Sequence, residues 1–117
     1  MADNLRDRCY RFGLEIIKLC DRFPQKRSAW VIADQLIRAA TSIGANLIEG
    51  KAASSRLEYK KFFEIALKSA NEARYWLHLV RDAGIVDQGI AEGLLDEANQ
   101  IASMLAKGVI SLKKKNL

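Results

Sequence analysis

The chain has 117 residues; half of them are hydrophobic, only one is proline, and the formal net charge at pH 7 is +5. This length suits one hydrophobic core, so we predict a single domain over residues 1–117, and the composition favours an all-α fold. No apolar run approaches the roughly 20 residues that span a bilayer, and the N-terminus lacks the apolar core of a signal peptide. We therefore expect no membrane segment and a cytoplasmic location.

The residue patterns of known catalytic and metal sites are missing from the sequence. The only histidine is His78, and the residue three positions before it is Tyr75, not the glutamate that a di-metal helix bundle uses. Cys9 and Cys20 lie about three turns apart on the apolar face of one predicted helix, so they cannot bond to each other there. Reduced core thiols are favoured over a redox or metal role. We expect no enzymatic activity, no metal and no cofactor.

The first half of the chain predicts two helices. Helix 1 is expected over about residues 4–22, and Pro24 ends it. Helix 2 is expected from Ser28, as its N-cap, to Gly50, as a left-handed C-terminal cap. The apolar residues of helix 1 follow the alternating four- and three-residue spacing of a bundle helix: Leu5, Cys9, Phe12, Ile16, Leu19 and Phe23.

The second half predicts two longer helices. Ser55 and Glu58 have the Ser-x-x-Glu form of a capping box, which starts helix 3, and this helix is expected to continue to Gly84. Asp87 is the expected N-cap of helix 4. Because the connectors are short, we predict an antiparallel up-down-up-down four-helix bundle.

This topology gathers positive charge at one end of the bundle. The start of helix 1, the turn between helices 2 and 3, and the end of helix 4 meet there, which makes this end a candidate nucleic-acid-binding surface. An ordinary solvated surface, with a frayed lysine tail, is the alternative. The candidate residues are Arg6, Arg8, Arg11, Lys51, Arg56, Lys60, Lys61, Lys113, Lys114 and Lys115. Lys107 is predicted at the same end, and the acidic residues expected there are Asp3, Asp7, Glu49 and Glu58.

Polar residues interrupt the small-residue faces of helices 2 and 3. Glu49 falls in the last turn of helix 2, where the helix dipole disfavours an anion, so a nearby positive group is expected. Arg38 is about three turns away on nearly the same face and is expected to serve a neighbouring helix or subunit instead. The cluster is interpreted as a structural polar network, with a ligand-binding role as the alternative. Its members are Arg38, Asn46, Glu49, Glu64, Ser69 and Glu72.

The segment 38–50, RAATSIGANLIEG, followed by Glu58-Tyr59 and by the segment 63–72, FEIALKSANE, closely resembles a known family. This is the small bacterial four-helix-bundle family named after the protein encoded within an intervening sequence of large-subunit ribosomal RNA genes. It is related to the accessory protein of diversity-generating retroelements. The resemblance implies a homopentameric ring that binds RNA or DNA, and the retroelement relative partners a reverse transcriptase.

Two hypotheses about function follow. In the first, the chain is a non-enzymatic, oligomeric RNA- or DNA-binding protein that uses its basic end. In the second, it is an adaptor ring that docks a protein such as a reverse transcriptase, with no nucleic-acid role of its own. Exposed apolar residues could serve the second role: Trp30, Val31, Tyr75 and Leu79.

Overall fold

The computed structural model describes residues 2–114, with side chains from Asn4 onward. Four helices occupy this range: α1 (Ala2–Asp21), α2 (Arg27–Lys51), α3 (Arg56–Asp82) and α4 (Gln88–Lys114). The described residues form no β-strand. The predicted all-α class and the four predicted helices are therefore confirmed.

Side-chain caps fix the starts of α3 and α4, as the sequence predicts. The Ser55 hydroxyl accepts the backbone N–H of Glu58 at 3.1 Å, and the Glu58 carboxylate accepts the N–H of Ser54 at 2.9 Å. The Asp87 carboxylate accepts the N–H of Gly89 at 3.1 Å. The bonds to Glu58 and Gly89 satisfy amides that would otherwise lack a partner in the first turn of each helix, and the bond from Ser54 satisfies an amide just before α3.

The start of α2 differs from the prediction. The helix begins at Arg27, and the N-cap position belongs to Lys26, whose side chain makes no capping hydrogen bond. Ser28 therefore lies inside the first turn, and its prediction as the N-cap is wrong. The extended backbone of Lys26 is enough to start the helix there, with φ −129° and ψ 145°.

Gly50 is also not the left-handed cap that the sequence predicts. It is buried inside α2, and no residue at this end of the helix has positive φ. A Cβ on Gly50 would lie 3.1 Å from Cβ of Phe62 and 3.4 Å from the ring of Tyr59. The glycine therefore serves the close approach of α3, because a larger residue would push the two helices apart.

The left-handed cap belongs to α3. Gly84 has φ +68°, which is the only positive φ found from residue 2 to residue 114. The N–H of Ile85 donates to the carbonyl of Val80 at 3.0 Å, and the N–H of Gly84 donates to the carbonyl of Arg81 at 3.1 Å. These are the two bonds of a Schellman motif, so α3 ends at Asp82, two residues before Gly84.

All four helices contribute to one core. Helix α1 packs against α2, α2 against α3, and α3 against α4, and a smaller contact joins α1 to α4. The predicted apolar residues of α1 and the adjoining Phe23 are all buried. On α2 and α3 the completely buried positions are largely alanines, which lets these helices pack closely; they are Ala39, Ala40, Ala66, Ala70 and Ala73.

Candidate nucleic-acid interface

Three helix ends meet around one small cavity. It is lined by residues from the start of α1, the end of α2 and the start of α3: Leu5, Arg6, Leu47, Tyr59 and Phe63. The rings of Tyr59 and Phe63 meet edge to face, 5.1 Å apart between centroids. The Phe63 ring also lies within 2.5 Å of the place where a Cβ on Gly108 would stand, which brings the last part of α4 to the same end.

This end of the molecule carries exposed positive side chains, and we call it the basic end. Lys60 is half-buried and the other members are exposed. Within residues 2–114, none of them forms a hydrogen bond or ion pair through its side chain. The basic end consists of Lys51, Arg56, Lys60, Lys61, Lys107, Lys113 and Lys114, which all come from the predicted set.

Two further predicted cations lie on α1. Arg6 is half-buried, it lines the cavity between the helix ends, and its side chain has an interaction partner. Arg11 lies 3.2 Å from the carboxylate of Asp7, and both side chains are about 60% exposed. Solvent screens a pair of that kind strongly, so Arg11 keeps most of its field toward solvent. Lys115 lies outside the described residues.

Arg8 behaves differently from the other cations. Its guanidinium donates to both carboxylate oxygens of Glu97 on α4, at 3.0 and 2.7 Å, and to the side-chain oxygen of Gln100 at 2.8 Å. A further contact of 3.3 Å reaches the sulfur of Met104. The hydrogen bond to Glu97 holds the pKa of Arg8 above its ordinary value. Arg8 therefore links α1 to α4 through Glu97, and we call this ion pair the Arg8 clasp. Its guanidinium donates to side chains of this chain and is not free to bind a ligand.

The predicted polar network exists in part, as a chain of hydrogen bonds between α2 and α3. Asn46 donates from its side-chain amide to the carbonyl of Ser42 at 2.8 Å and to the Ser42 hydroxyl at 3.0 Å. The hydroxyl of Ser69 donates to the same Ser42 hydroxyl at 2.9 Å. These half-buried groups satisfy one another at the contact between the two helices.

A second polar group lies further along the same pair of helices. Arg38 forms an ion pair with Glu72, as expected for a residue that serves a neighbouring helix, and it also donates to Gln35 at 2.9 Å. The indole N–H of Trp76 donates to Glu72 at 3.1 Å. The bond from Trp76, followed by the pair with Arg38, lowers the pKa of the Glu72 carboxyl. Glu72 therefore stays ionised and links α2 to α3.

Glu49 and Glu64 do not join either group. Glu49 is exposed and Glu64 is half-buried, and neither makes a side-chain hydrogen bond or ion pair among the described residues. The expected compensation of Glu49 by a positive partner is therefore wrong. Sequence reasoning also missed Ser42 and Trp76. A usable signal existed, because each lies four residues from its partner on the same helix face.

The two thiols have the properties of core groups. Burial raises the pKa of Cys9 to about 12 and that of Cys20 to about 11. Both are free thiols. From residue 2 to residue 114, no three histidine, cysteine or carboxylate side chains cluster closely enough to hold a metal ion. No helix in the same range is long and apolar enough to cross a membrane.

Comparison with known proteins identifies a family and similar solved structures, one of which is described here. The model of the family described as "23S rRNA-intervening sequence protein" matches residues 4–107. The solved structure is a protein of unknown function from the S23 ribosomal protein family of Bacteroides thetaiotaomicron VPI-5482, determined at 1.70 Å. It is 30% identical, with a TM-score of 0.84 over 90% of this chain and 97% of that chain. No functionally curated protein matches.

The four helices of residues 2–114, with no strand among them, define a small all-α protein. The family match covers residues 4–107, and the similar structure covers 90% of the chain. The chain belongs to the 23S rRNA-intervening sequence protein family, which confirms the resemblance carried by the residues around Asn46 and Ser69.

Proposed function

We propose that this protein is a non-enzymatic, cytoplasmic nucleic-acid-binding protein that contacts the phosphate backbone of RNA or DNA with its basic end. The observation that carries the proposal is the convergence of seven lysine and arginine side chains from three helices, none of which is paired with a carboxylate in residues 2–114. Unpaired cations on one surface are the footprint of a phosphate binder. The family name, which refers to ribosomal RNA, supports the RNA-related role.

The binding surface is assigned to the exposed members of the basic end, with Arg6 and Arg11 at its border. Arg8 is left out, because its donors already face Glu97 and Gln100. We expect recognition of shape and charge without readout of base sequence, since no exposed aromatic side chain of residues 2–114 lies in the sequence beside the seven cations of the basic end to stack on bases.

We further propose an antiparallel up-down-up-down topology and assembly into a homopentamer. The topology is supported by pairs of neighbouring residues, because Gly50 lies beside Phe62 whereas Arg38, earlier in α2, lies beside Glu72, later in α3. The pentamer is supported by the family resemblance alone. A ring of this kind would repeat the basic end five times and multiply a modest affinity per chain.

The experiment measures binding of the full chain to a structured RNA and to duplex DNA at two salt concentrations. Affinity should fall steeply with salt. The double variant Lys51→Ala and Lys60→Ala should keep its thermal stability and lose affinity, with the salt slope reduced by about 1 for each lysine. The control is Lys26→Ala with Arg27→Ala, which removes two cations between α1 and α2. Absent or salt-independent binding, or equal losses in both double variants, would reject the proposal.

The second candidate function is a protein adaptor, for instance for a reverse transcriptase. Its support is the pair Trp30 and Val31, which are 56% and 55% exposed at the start of α2, together with Tyr75, which is 58% exposed. Leu79 is half-buried and offers less surface. Capture of a specific protein by the wild-type chain, lost in Trp30→Ala and kept in Lys51→Ala, would favour this alternative over nucleic-acid binding.

A further inference from the structure

A polar groove runs along the outside of the molecule between α3 and α4. Its volume is about 450 Å³. Its polar residues are Asn71 and Arg74 on α3 and Asn99 and Ser103 on α4, and the other three lining residues are apolar. Within residues 4–114, the side chains of Asn99 and Ser103 form no hydrogen bond. The groove therefore presents polar groups that the fold itself does not use.

Arg74 is the least satisfied side chain of this groove. Its Nη1 donates to the side-chain oxygen of Asn71 at 3.1 Å, and the guanidinium forms no ion pair with any described residue. Its Nε is the only buried side-chain nitrogen or oxygen in residues 4–114 that lacks a hydrogen-bond partner. A buried donor without an acceptor destabilises a fold, so its retention calls for an acceptor from outside the chain. The residue as a whole is half-buried, so the guanidinium has room to turn toward an oxyanion in the groove.

The groove is continuous with the basic end. On α3, Arg56, Lys60, Asn71 and Arg74 fall within about 60° of the helix circumference, at 100° per residue. On α4, the face that lines the groove continues to Lys113 by the same spacing. Arg74 lies 14 residues after Lys60, which is about 21 Å along the helix. The basic end therefore supplies cations at one end of this path, and Arg74 supplies one at the other.

Few carboxylates oppose an anion along this path. Residues 98–114 of α4 include no aspartate or glutamate. On α3, the Glu58 carboxylate accepts the N–H of Ser54, and the Glu72 carboxylate is bonded on the side of α2. Glu64 is the remaining carboxylate of α3, one turn after Lys60, and it is half-buried. The positive charge of the path is therefore reduced at one position only.

We propose that a single strand of RNA or DNA lies lengthwise in this groove, from the basic end to Arg74, whose guanidinium binds a phosphate. This inference rests on the proposed nucleic-acid-binding function and adds to it the form of the ligand and its path. Beyond Arg74 the charge of α4 becomes negative, with Asp96 and Glu92, so the path ends there. A path of about 21 Å corresponds to about six nucleotides at about 3.4 Å per nucleotide.

The straightness of the groove favours a single strand over a duplex. The axes of packed helices are about 8–10 Å apart, so the groove between α3 and α4 is narrow. A duplex completes a turn in about 34–36 Å, so each of its strands leaves a straight line within half a turn, which is about 17 Å. A single strand can follow the groove along its whole length, with its phosphates toward the cations.

The groove differs from the surfaces that contacts between copies of the chain would bury. None of its lining residues is a large exposed hydrophobic residue, whereas Tyr10, Leu14 and Trp30 expose such side chains on α1 and α2. Ile110 is exposed on α4 between the groove and Lys113, and a single apolar residue is ordinary on a protein surface. Stable oligomers bury apolar faces, so a ring that uses α1 and α2 leaves this groove open to a ligand.

The experiment measures binding of the full chain to single-stranded RNA of about four and about ten nucleotides by fluorescence anisotropy. Arg74→Ala should weaken binding of the longer strand about tenfold and reduce its salt slope by about 0.7, because one phosphate contact is lost. The same variant should bind the shorter strand as the wild-type chain does, since about four nucleotides held at the basic end do not reach Arg74. General destabilisation would not produce a loss that depends on strand length.

Two further variants of α3 separate the guanidinium from charge alone. Arg74→Lys should keep the salt slope and recover only part of the affinity, because lysine lacks the planar fork. The matched control is Arg81→Ala, about two turns beyond Arg74 on the same helix. Arg81 is paired with Asp82 at 2.9 Å, so its loss should change neither strand's affinity.

Glu64→Gln gives a test in the opposite direction. Removal of the carboxylate beside the path should raise the affinity for the longer strand about twofold to fivefold. Thermal melts and sedimentation should show that all four variants remain folded with the mass of the wild-type chain. A changed mass in Arg74→Ala would assign this residue to a contact between copies and would overturn the proposal.

The outcomes distinguish this inference from the proposed function. If the wild-type chain binds with a steep salt dependence but Arg74→Ala and Arg81→Ala lose equal affinity, or none, the path along the groove is wrong and nucleic-acid binding stands. Equal affinity for a duplex and a single strand of the same length, or no change in Glu64→Gln, also contradicts the path. Absence of salt-dependent binding in the wild-type chain rejects the proposed function itself.

Discussion

The contact between α2 and α3 and the contact between α1 and α4 hold their helices together by different interactions. Between α2 and α3 the backbones approach closely, with Gly50 against Phe62 and the hydroxyls of Ser42 and Ser69 2.9 Å apart. Between α1 and α4 the contact is smaller, and the Arg8 clasp to Glu97 holds it. Close packing there is replaced by a charged tether.

The α1–α4 contact also contains the more open space. A cleft of about 520 Å³ lies between the end of α1 and the start of α4, beside Leu19, Ile90 and Leu94. Gly93 lines it, and a Cβ on Gly93 would meet nothing within 4 Å. The comparison teaches that glycine has opposite roles in the two contacts, since packing requires Gly50 and does not require Gly93.

The largest expected effect comes from placing the same side chain at these two glycines. Gly50→Leu should lower the free energy of unfolding by about 3 kcal/mol, because the new side chain overlaps Phe62 and Tyr59. Gly93→Leu should leave stability unchanged or raise it by up to about 1 kcal/mol, since leucine favours the helix more than glycine does. Urea unfolding of both variants measures the difference. Equal losses would show that the two contacts are packed alike.

The next effect tests the clasp. Removing either partner with Arg8→Ala or Glu97→Ala should cost about 1–2 kcal/mol, because the pair has two charge-assisted hydrogen bonds but remains partly exposed to solvent. A double-mutant cycle isolates the coupling between them, and this coupling should shrink in high salt. The same cycle on Arg11 and Asp7 is the control and should give much less. A coupling near zero for Arg8 and Glu97 would contradict the clasp.

A smaller effect is expected from the hydroxyl pair between α2 and α3. Ser69→Ala removes one hydrogen bond but leaves the Ser42 hydroxyl bonded to Asn46, so the loss should be about 0.5–1 kcal/mol. Ser103→Ala, at an exposed position of α4, is the matched control. If Ser69→Ala and the control unfold at the same urea concentration, the hydroxyl pair contributes nothing to this contact.

The smallest expected effect is a dependence of folding stability on pH in the acid range. The pKa of Glu72 in the folded chain is lowered from its ordinary value of 4.5 by Trp76 and Arg38. Its carboxylate therefore stabilises the fold above pH 4.5, and this contribution is lost as the pH falls through the lower folded pKa. Glu72→Gln should show a shallower decline in melting temperature below pH 4.5 than the wild-type chain. Parallel declines would exclude Glu72 as a contributor.

The sequence predicted the helices and most of the core, because apolar spacing on one helix is a local property. It failed where a residue's role depends on another helix. Gly50 and Gly84 both follow an apolar stripe and look alike in the sequence, but α3 packs against the first and only the second takes positive φ. Arg8 and Glu97 are 89 residues apart, so nothing local in the sequence distinguishes this tether from the exposed cations of the basic end.

The reactivity of the buried thiol of Cys9 can be used to follow the opening of α1. Cys9 is 2% exposed, and with pKa values of about 12 and 11 Cys9 and Cys20 hold almost no thiolate at neutral pH. A thiol reagent therefore modifies Cys9 only when α1 lifts from its neighbours. The rate at which the reagent modifies Cys9 therefore measures how often the helix that the Arg8 clasp restrains opens.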